Sequence, residues 1–310
     1  MGPLNVIIVD HAAAPSPTRA LPLALQRQGT MLWRALVSDL GALPGVEVAT
    51  TASFEPLQGT GMLDAVWPLA LESGGVLERL SRAILHDRRI LLGSAPDTVA
   101  ITASKLALAR ALARGGVATV ATCSPHAASV HGGGPWVVKP DDGAGCLHTR
   151  LFRDRAAALG WIAASGTQGY VLQPFVAGKP GSLCLICCDG VARVLACNHE
   201  RVAMRDNRFH VLGSTVNGLA DNDGALARLA QQVTAALPGL WGYVGVSFVL
   251  TPRGAVVLDV NPRLTAAYAG LHASIGRNPA AMVLDLLAGQ AALPSMAPGR
   301  RRAVSVDVGT

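Results

Sequence analysis

Strand and helix signals alternate over the first 95 residues and then give way to a run of strands. NVIIVD reads as a strand. GTMLWRALVSDLGAL follows with helical spacing, Met31, Leu32, Leu36 and Leu40 sharing one face, and Gly41 and Pro44 break it. VEVATT is a second strand, LDAVWPLA a third, and GGVLERLSRAILHD an amphipathic helix ahead of the short strand RRILLG. This order implies a parallel sheet, because parallel strands need a crossover between them. After a composition shift at Gly93-Ser94-Ala95-Pro96, Ser104 reads as the N-cap of the helix KLALARALARGG, with Gly115 as its stop. The strands GPWVVKP, YVLQPFV, SLCLICC and VARVLACN come next, separated by Gly-rich or polar turns. DGALARLAQQVTAAL is a helix, WGYVGVSFVL and GAVVLDVN are strands joined by the turn Thr251–Gly254, and NPAAMVLDLLAG is the last helix. No internal repeat or long low-complexity segment interrupts the chain.

At 310 residues and 50% hydrophobic, the chain can bury a sizeable core of two or three subdomains. No apolar run approaches the roughly 20 residues that span a bilayer, so no membrane partner is expected. The N-terminus lacks a basic segment and reads as a first strand rather than a signal peptide. The net charge of +6 is scattered, Arg300-Arg301-Arg302 being the one basic run. With few aromatic residues for base stacking, this argues against nucleic acid and suits a cleft for small anionic substrates. Four of the six cysteines, Cys184, Cys187, Cys188 and Cys197, cluster in SLCLICCDGVARVLACN. No second Cys pair at zinc-finger spacing follows, so these read as small buried residues of a reduced, cytoplasmic protein.

Three stretches carry chemistry. In VVKPDDGAGC a strand ends on Lys139, and the turn Gly143-Ala144-Gly145 can bring backbone N–H groups against phosphate oxygens. The lysine precedes the glycines, so this is not a P-loop, and alone it reads as a solvated loop. In YVLQPFVAG an apolar strand runs into Gln173, Pro174, Phe175 and Val176, a hinge whose backbone can bond an adenine edge. In VVLDVNPRLTAAY, Asp259 and Asn261 lie two residues apart at a strand end, with Arg263 just beyond. Hard oxygen donors on one face of a strand suit Mg²⁺; a capped strand end with a surface arginine is the plain alternative.

Taken in order, these stretches resemble the ATP-grasp superfamily of carboxylate–amine ligases over about residues 95 to 290. The resemblance implies an α+β fold: two α+β subdomains clasping ATP, preceded by a small parallel α/β domain. Its boundaries fall at 1–95 for the first domain, 96–178 for the small grasp subdomain and 179–310 for the C-terminal subdomain with the metal site. GTMLWRALVSDLGALPGVEV, KPDDGAGC and NPRLTAAYAGL look like the tyramine–glutamate ligase branch, which works in methanofuran-type C1-carrier synthesis. On this basis Lys105 and Lys139 resemble the two phosphate lysines, and Gly143 to Gly145 the phosphate loop. Pro174 and Val176 resemble the adenine hinge, Asp259 and Asn261 the Mg²⁺ ligands, and Arg263 the arginine that holds the γ-phosphate or acyl phosphate. The cofactors implied are ATP and Mg²⁺, the partners an amino acid and an amine, and a homodimer is one assembly the reading admits.

The sequence also departs from that pattern. Ser247, in GVSFVL, stands where the family offers a second metal carboxylate, and Asp259 replaces a more usual Glu. Lys179-Pro180 falls where an acidic ribose contact is expected. Three readings fit: ATP bound with fewer protein ligands, other acids (Asp141, Asp142 or Glu200) in the missing role, or a nucleotide-binding scaffold without ligase activity. Another dipeptide-forming or cofactor-tailoring ligase is a further alternative. Glu72 either faces an amino-acid substrate or is a helix N-terminal acid, and Tyr268 either lines an acceptor pocket or packs.

Overall fold

The structure, a computed structural model, describes residues 3–11, 22–52, 65–127, 133–166, 168–288 and 301–308. The parts of the sequence reading that rest on residues 12–14, 63–64, 289 and 300 lie outside these residues. The N-terminal sheet holds β1 (Leu4–Asp10), β2 (Val46–Thr51), β3 (Ala65–Leu69) and β4 (Ile90–Leu91), all parallel in the order β2-β1-β3-β4. The two-residue period of β1 sends Val6 and Ile8 to one face and Ile7 and Val9 to the other. α1 (Leu23–Gly41) covers the first face with Leu32, Leu36 and Leu40; α2 (Val76–His86) covers the second with Leu77, Leu80 and Ile84. Both faces being covered, β1 and β3 are nearly continuous apolar runs.

The Gly93–Pro96 break is not a bare linker. α3 (Pro96–Ala103) starts there, its proline in the first turn, where a missing N–H costs nothing. α4 (Lys105–Arg114) follows, with Ser104 as N-cap accepting from the Ala107 N–H and Gly115 at its end. Then come β5 (Trp136–Pro140), β6 (Arg150–Phe152), α5 (Arg155–Ser165) and β7 (Tyr170–Pro174). Strands β6-β5-β7 form an antiparallel unit whose Trp136, Val138 and Leu172 pack with Ala158 of α5.

The larger antiparallel part runs β12-β11-β8-β9-β10, from β8 (Lys179–Cys188), β9 (Val191–Arg205), β10 (Arg208–Val216), β11 (Gly242–Thr251) and β12 (Gly254–Asn261). α6 (Ala225–Ala236) precedes β11, and α7 (Tyr268–Ile275), α8 (Pro279–Leu284) and β13 (Val304–Asp307) close the chain. The pair Arg208–Arg150 joins this sheet to the smaller one, and β13 pairs with β10. One face of β8, with Leu183, Leu185 and Cys187, packs on Leu108 and Leu112 of α4 and Leu229 and Val233 of α6. The opposite face, with Cys184 and Ile186, packs on α7 and α8 and meets α1 of the N-terminal unit. The helix expected over NPAAMVLDLLAG is α8 followed by a 3₁₀ turn at Asp285–Ala288. Tyr268 is 1% exposed and edge-on to Tyr243 at 5.4 Å, so it packs rather than lining a pocket.

All six cysteines are free thiols; burial pushes Cys184 up to about 11 and Cys187 and Cys197 up to about 12. Among the described residues no helix is long and apolar enough to cross a membrane.

Candidate functional site

The strand end at Asp259 owes its geometry to a bulge. Ser247 pairs with Asp259 and Phe248 with Val257, so Leu258 has no opposite residue on β11. The extra residue resets the alternation. Val257 and Val260 both enter the core under α4 and α6, and Asp259 and Asn261 turn to the other face. A regular strand would put Asp259 on the side of Val257. The same face carries Ser247, directly across from Asp259, and Ser182, directly across from Ser247 on β8.

The lysines arrive from two other elements. Trp136 and Val138 of β5 point into the core against α5, so the alternating Lys139 points the opposite way, toward Asp259, Lys105 and Asp141. Lys105 is the first residue of α4, and the Gly-rich segment holds that helix end in place. The Asp141 carbonyl accepts from the Lys105 N–H at 3.0 Å, and its carboxylate accepts from the Leu106 N–H at 2.8 Å and the Ser104 hydroxyl at 2.7 Å. These bonds satisfy orphan donors of the helix and place a negative charge at its positive end. Lys105 Nζ lies 3.3 Å from Asp259 Oδ2, both side chains being largely buried. Burial pulls the Lys139 ammonium down from 10.5 to about 8; Asp259 opposes the shift and Lys105 adds to it.

The turn after Lys139 is shaped by left-handed backbone at Gly145, Cys146 and His148. It closes through Leu147 N–H to the Ala144 carbonyl and Thr149 N–H to the Cys146 carbonyl. No partner for the N–H groups of Gly143, Ala144 and Gly145 occurs among the described residues. Burial pushes the Cys146 thiol up, and Lys139 and Asp259 are among the charges acting on it, so this thiol borders the same cluster.

Arg263 follows the strand end and is held from three sides. Its Nε donates to Glu72 Oε2 at 2.7 Å, Nη1 to the Leu264 carbonyl at 3.1 Å and Nη2 to Asn261 Oδ1 at 3.2 Å. Glu72 sits on the turn after β3, and the Gly74 N–H of that turn donates to Asp142 at 2.6 Å.

Of the alternative acids, Asp141 is committed to the α4 terminus and Asp142 to Gly74. Glu200, on β9, accepts from the Ser182 hydroxyl at 2.6 Å, and burial raises its carboxyl. Fully buried Asn198 donates to the same hydroxyl at 3.1 Å. Arg201 Nη2 donates to the Val306 carbonyl and to Asp307 of β13, and its buried Nε has no partner among the described residues.

The hinge lies higher on the same small sheet, Pro174 pairing with Trp136 and Val171 with Lys139. Phe175 N–H donates to the Pro135 carbonyl, and its ring stacks on Phe209 at 6.4 Å. Val176 is partly buried. Gln173 is 4% exposed and donates to the Thr122 hydroxyl, so its side chain supports the β7 junction rather than facing the cleft.

The donor set at the strand end is one carboxylate, one amide and one hydroxyl. Among the described residues no cluster of three or more His, Cys, Asp or Glu is arranged to hold a metal. Mg²⁺ keeps several waters and is commonly held by one or two carboxylates plus substrate phosphates, so a sparse oxygen set still fits it. In the structure Lys105 lies against Asp259 and Arg263 against Asn261, both cations facing that set.

Residues 102–267, just over half of the chain, match the family model of the ATP-grasp domain, and residues 48–99 match that of the pre ATP-grasp 3 domain. No functionally curated protein matches the sequence. Among solved structures, an ATP-grasp superfamily protein from Archaeoglobus fulgidus is similar at TM-score 0.69 and 19% identity, over 98% of this chain and 99% of that one. D-alanine–D-alanine ligase from Bacillus anthracis is similar at TM-score 0.65 and 13% identity, over 93% and 97%. L-amino acid ligase from Bacillus licheniformis is similar at TM-score 0.61 and 17% identity, over 92% and 74%. At these identities the likeness speaks for the fold.

Proposed function

The chain belongs to the ATP-grasp family, and from that premise we propose that it joins an amino-acid carboxylate, most simply that of glutamate, to a small aromatic amine at the expense of ATP. ATP-dependent C–N bond formation is the chemistry of this class. The finer assignment, to the tyramine–glutamate branch and a methanofuran-like C1 carrier, rests on the segments KPDDGAGC and NPRLTAAYAGL. The carrying observation is the convergence of Lys105, Lys139, Asp259, Asn261 and Arg263 beside a turn whose N–H groups have no partner among the described residues.

In this reading the substrate carboxylate attacks the γ-phosphorus of ATP, ADP leaves and an acyl phosphate forms. The amine then attacks the acyl carbon, phosphate leaves and the ammonium proton passes to solvent. Lys105, Lys139 and the Gly143–Gly145 N–H groups bind the phosphates, and Arg263 holds the transferred phosphoryl group. The hinge backbone at Pro174 and Val176 takes the adenine. Asp259 and Asn261, with Ser247 beside them, hold Mg²⁺, which when bound neutralises charge on the phosphate oxygens. Because charge builds on oxygen in both steps, fixed cations in a dry cleft supply the catalysis and no protein nucleophile is needed. The free thiols support a reducing compartment such as the cytoplasm.

Phosphate release from ATP should require both an amino acid such as glutamate and an amine such as tyramine, with the amide seen by mass spectrometry. A second reading, a nucleotide-binding scaffold, is favoured by the lone carboxylate opposite Ser247. Saturable ATP binding without phosphate release across a panel of amino acids and amines selects the scaffold.

Ser247 gives a sharper test of the metal corner. Ser247→Asp sets a second carboxylate across from Asp259 and should tighten Mg²⁺ binding in the ATP complex by about tenfold, read by calorimetry. An unchanged affinity means that position 247 does not reach the metal.

A further inference from the structure

Arg263 is paired to a residue from the N-terminal unit rather than to one of its own. Glu72 and Arg263 side chains are 9% and 10% exposed, and Glu72 Oε2 lies 2.7 Å from Arg263 Nε. The other oxygen, Glu72 Oε1, is buried and has no hydrogen-bond partner among the described residues. A buried carboxylate oxygen without a donor is rare and costly, so such an atom calls for an explanation. Arg263 has five N–H donors in a planar fork, and the bonds to Glu72, Leu264 and Asn261 leave some of them for a ligand. An orphan acceptor and spare cationic donors therefore sit side by side. The Gly74 to Asp142 bond holds the turn of Glu72 against the Gly-rich segment, which puts both beside the phosphate site.

We infer that Glu72 and Arg263 together recognise a zwitterion: the carboxylate donor is an α-amino acid whose free ammonium bonds Glu72 Oε1 while its carboxylate faces Arg263. The inference rests on the ligase reading above and narrows it. A carboxylic acid without the ammonium leaves Oε1 unpaired in the closed cleft, and an N-acylated one puts a neutral group there. A site built to bond a substrate N–H rejects analogues that lack it, because its own polar group is then stranded. From its local sequence Glu72 is either a substrate contact or a helix-terminal acid. The structure places it 191 positions from Arg263 in sequence and in direct contact with it.

The test compares steady-state kinetics for matched donors at saturating ATP, Mg²⁺ and amine: glutamate, its des-amino analogue glutarate and N-acetylglutamate, then other α-amino acids with their des-amino counterparts. Wild type should prefer the free α-amino acid in kcat/KM by tenfold or more. Glu72→Gln should raise the KM for the amino acid and reduce the preference to about twofold. If Glu72 only holds Arg263, the variant slows amino acid and des-amino acid by the same factor and the preference survives; that outcome overturns the inference. Equal use of glutamate and glutarate by wild type also overturns it while leaving the ligase reading intact. If no carboxylate of either kind drives phosphate release, the ligase reading fails first and the inference with it. The wild-type comparison needs no variant, so equal use of the two donors overturns the inference even if Glu72→Gln does not fold.

Discussion

Replacing Asp259 with Asn is expected to lower ATP-dependent turnover by about 10³-fold or more. Asp259 is the one carboxylate at the bulged strand end, and the residue across from it is a serine. Asn keeps the shape and a carbonyl oxygen but removes the charge that attracts both Mg²⁺ and Lys105. The two losses pull ATP binding in opposite directions. Without Asp259 the Lys105 ammonium, 3.3 Å away in the structure, is released to the phosphates. Metal-free ATP should therefore bind the variant as tightly as wild type or more tightly, whereas the gain from adding Mg²⁺ should largely disappear. Titrating ATP by calorimetry with EDTA and with Mg²⁺, alongside the turnover assay, separates these effects. An Asp259→Asn enzyme with Mg²⁺ dependence intact would place the metal elsewhere.

Elements with a strong period or local punctuation were readable from sequence alone. α4 shows its apolar face, its Ser104 cap and its Gly115 stop within a dozen residues, and β1 is an apolar run of the kind a strand covered on both faces carries. Short elements left less trace. α3 has eight residues, too few to display a face, and β6 has three. β10 alternates weakly, because RFHVLGSTV mixes polar residues into both faces.

The site divides along the same line. The lysines, the glycine turn and the strand-end acid are visible because each sits at the end of a recognisable element. What the local sequence does not carry is the set of long-range partners. Asp141 satisfies the terminus of a helix 35 residues earlier in the chain, and Glu72 reaches Arg263 across 191 positions. The bulge at Leu258 is equally hidden, since VVLDVN reads as a plain strand in which Asp259 would share a face with Val257. Only the register with Phe248 and Ser247 reveals that the acid has been turned out of the core.

These hidden contacts also tie three parts of the chain together. Asp141 and Asp142 are consecutive, yet one grips α4 and the other the turn after β3. The glycine segment is thereby tied to the Lys105 end of α4 on one side and to the Glu72 turn on the other. A displacement of this segment would therefore be shared with both neighbours.

Lys139→Ala is expected to weaken ATP binding by about 30- to 100-fold, the loss of one charge-assisted contact in a buried setting, roughly 2–3 kcal/mol. The pH dependence of the unmutated protein tests the same residue without removing it. Burial, with Lys105 nearby, holds the Lys139 ammonium at about 8 against the pull of Asp259. Only the protonated form attracts phosphate, so ATP affinity should fall as pH rises through about 8. Stability should move the other way. The folded value lies below the unfolded 10.5, so between about 8 and 10.5 the unfolded chain holds the proton more strongly. The contribution of Lys139 to stability is thus complete above 10.5 and lost as pH falls through about 8. A fall in ATP affinity accompanied by no loss of thermal stability over pH 7.5–9.5 is therefore the expected pattern, read by calorimetry and by thermal melts on the same samples. Lys139→Arg keeps its charge throughout this range and should flatten the affinity profile. If the profile of Lys139→Arg matches that of the unmutated protein, the titrating group is not Lys139.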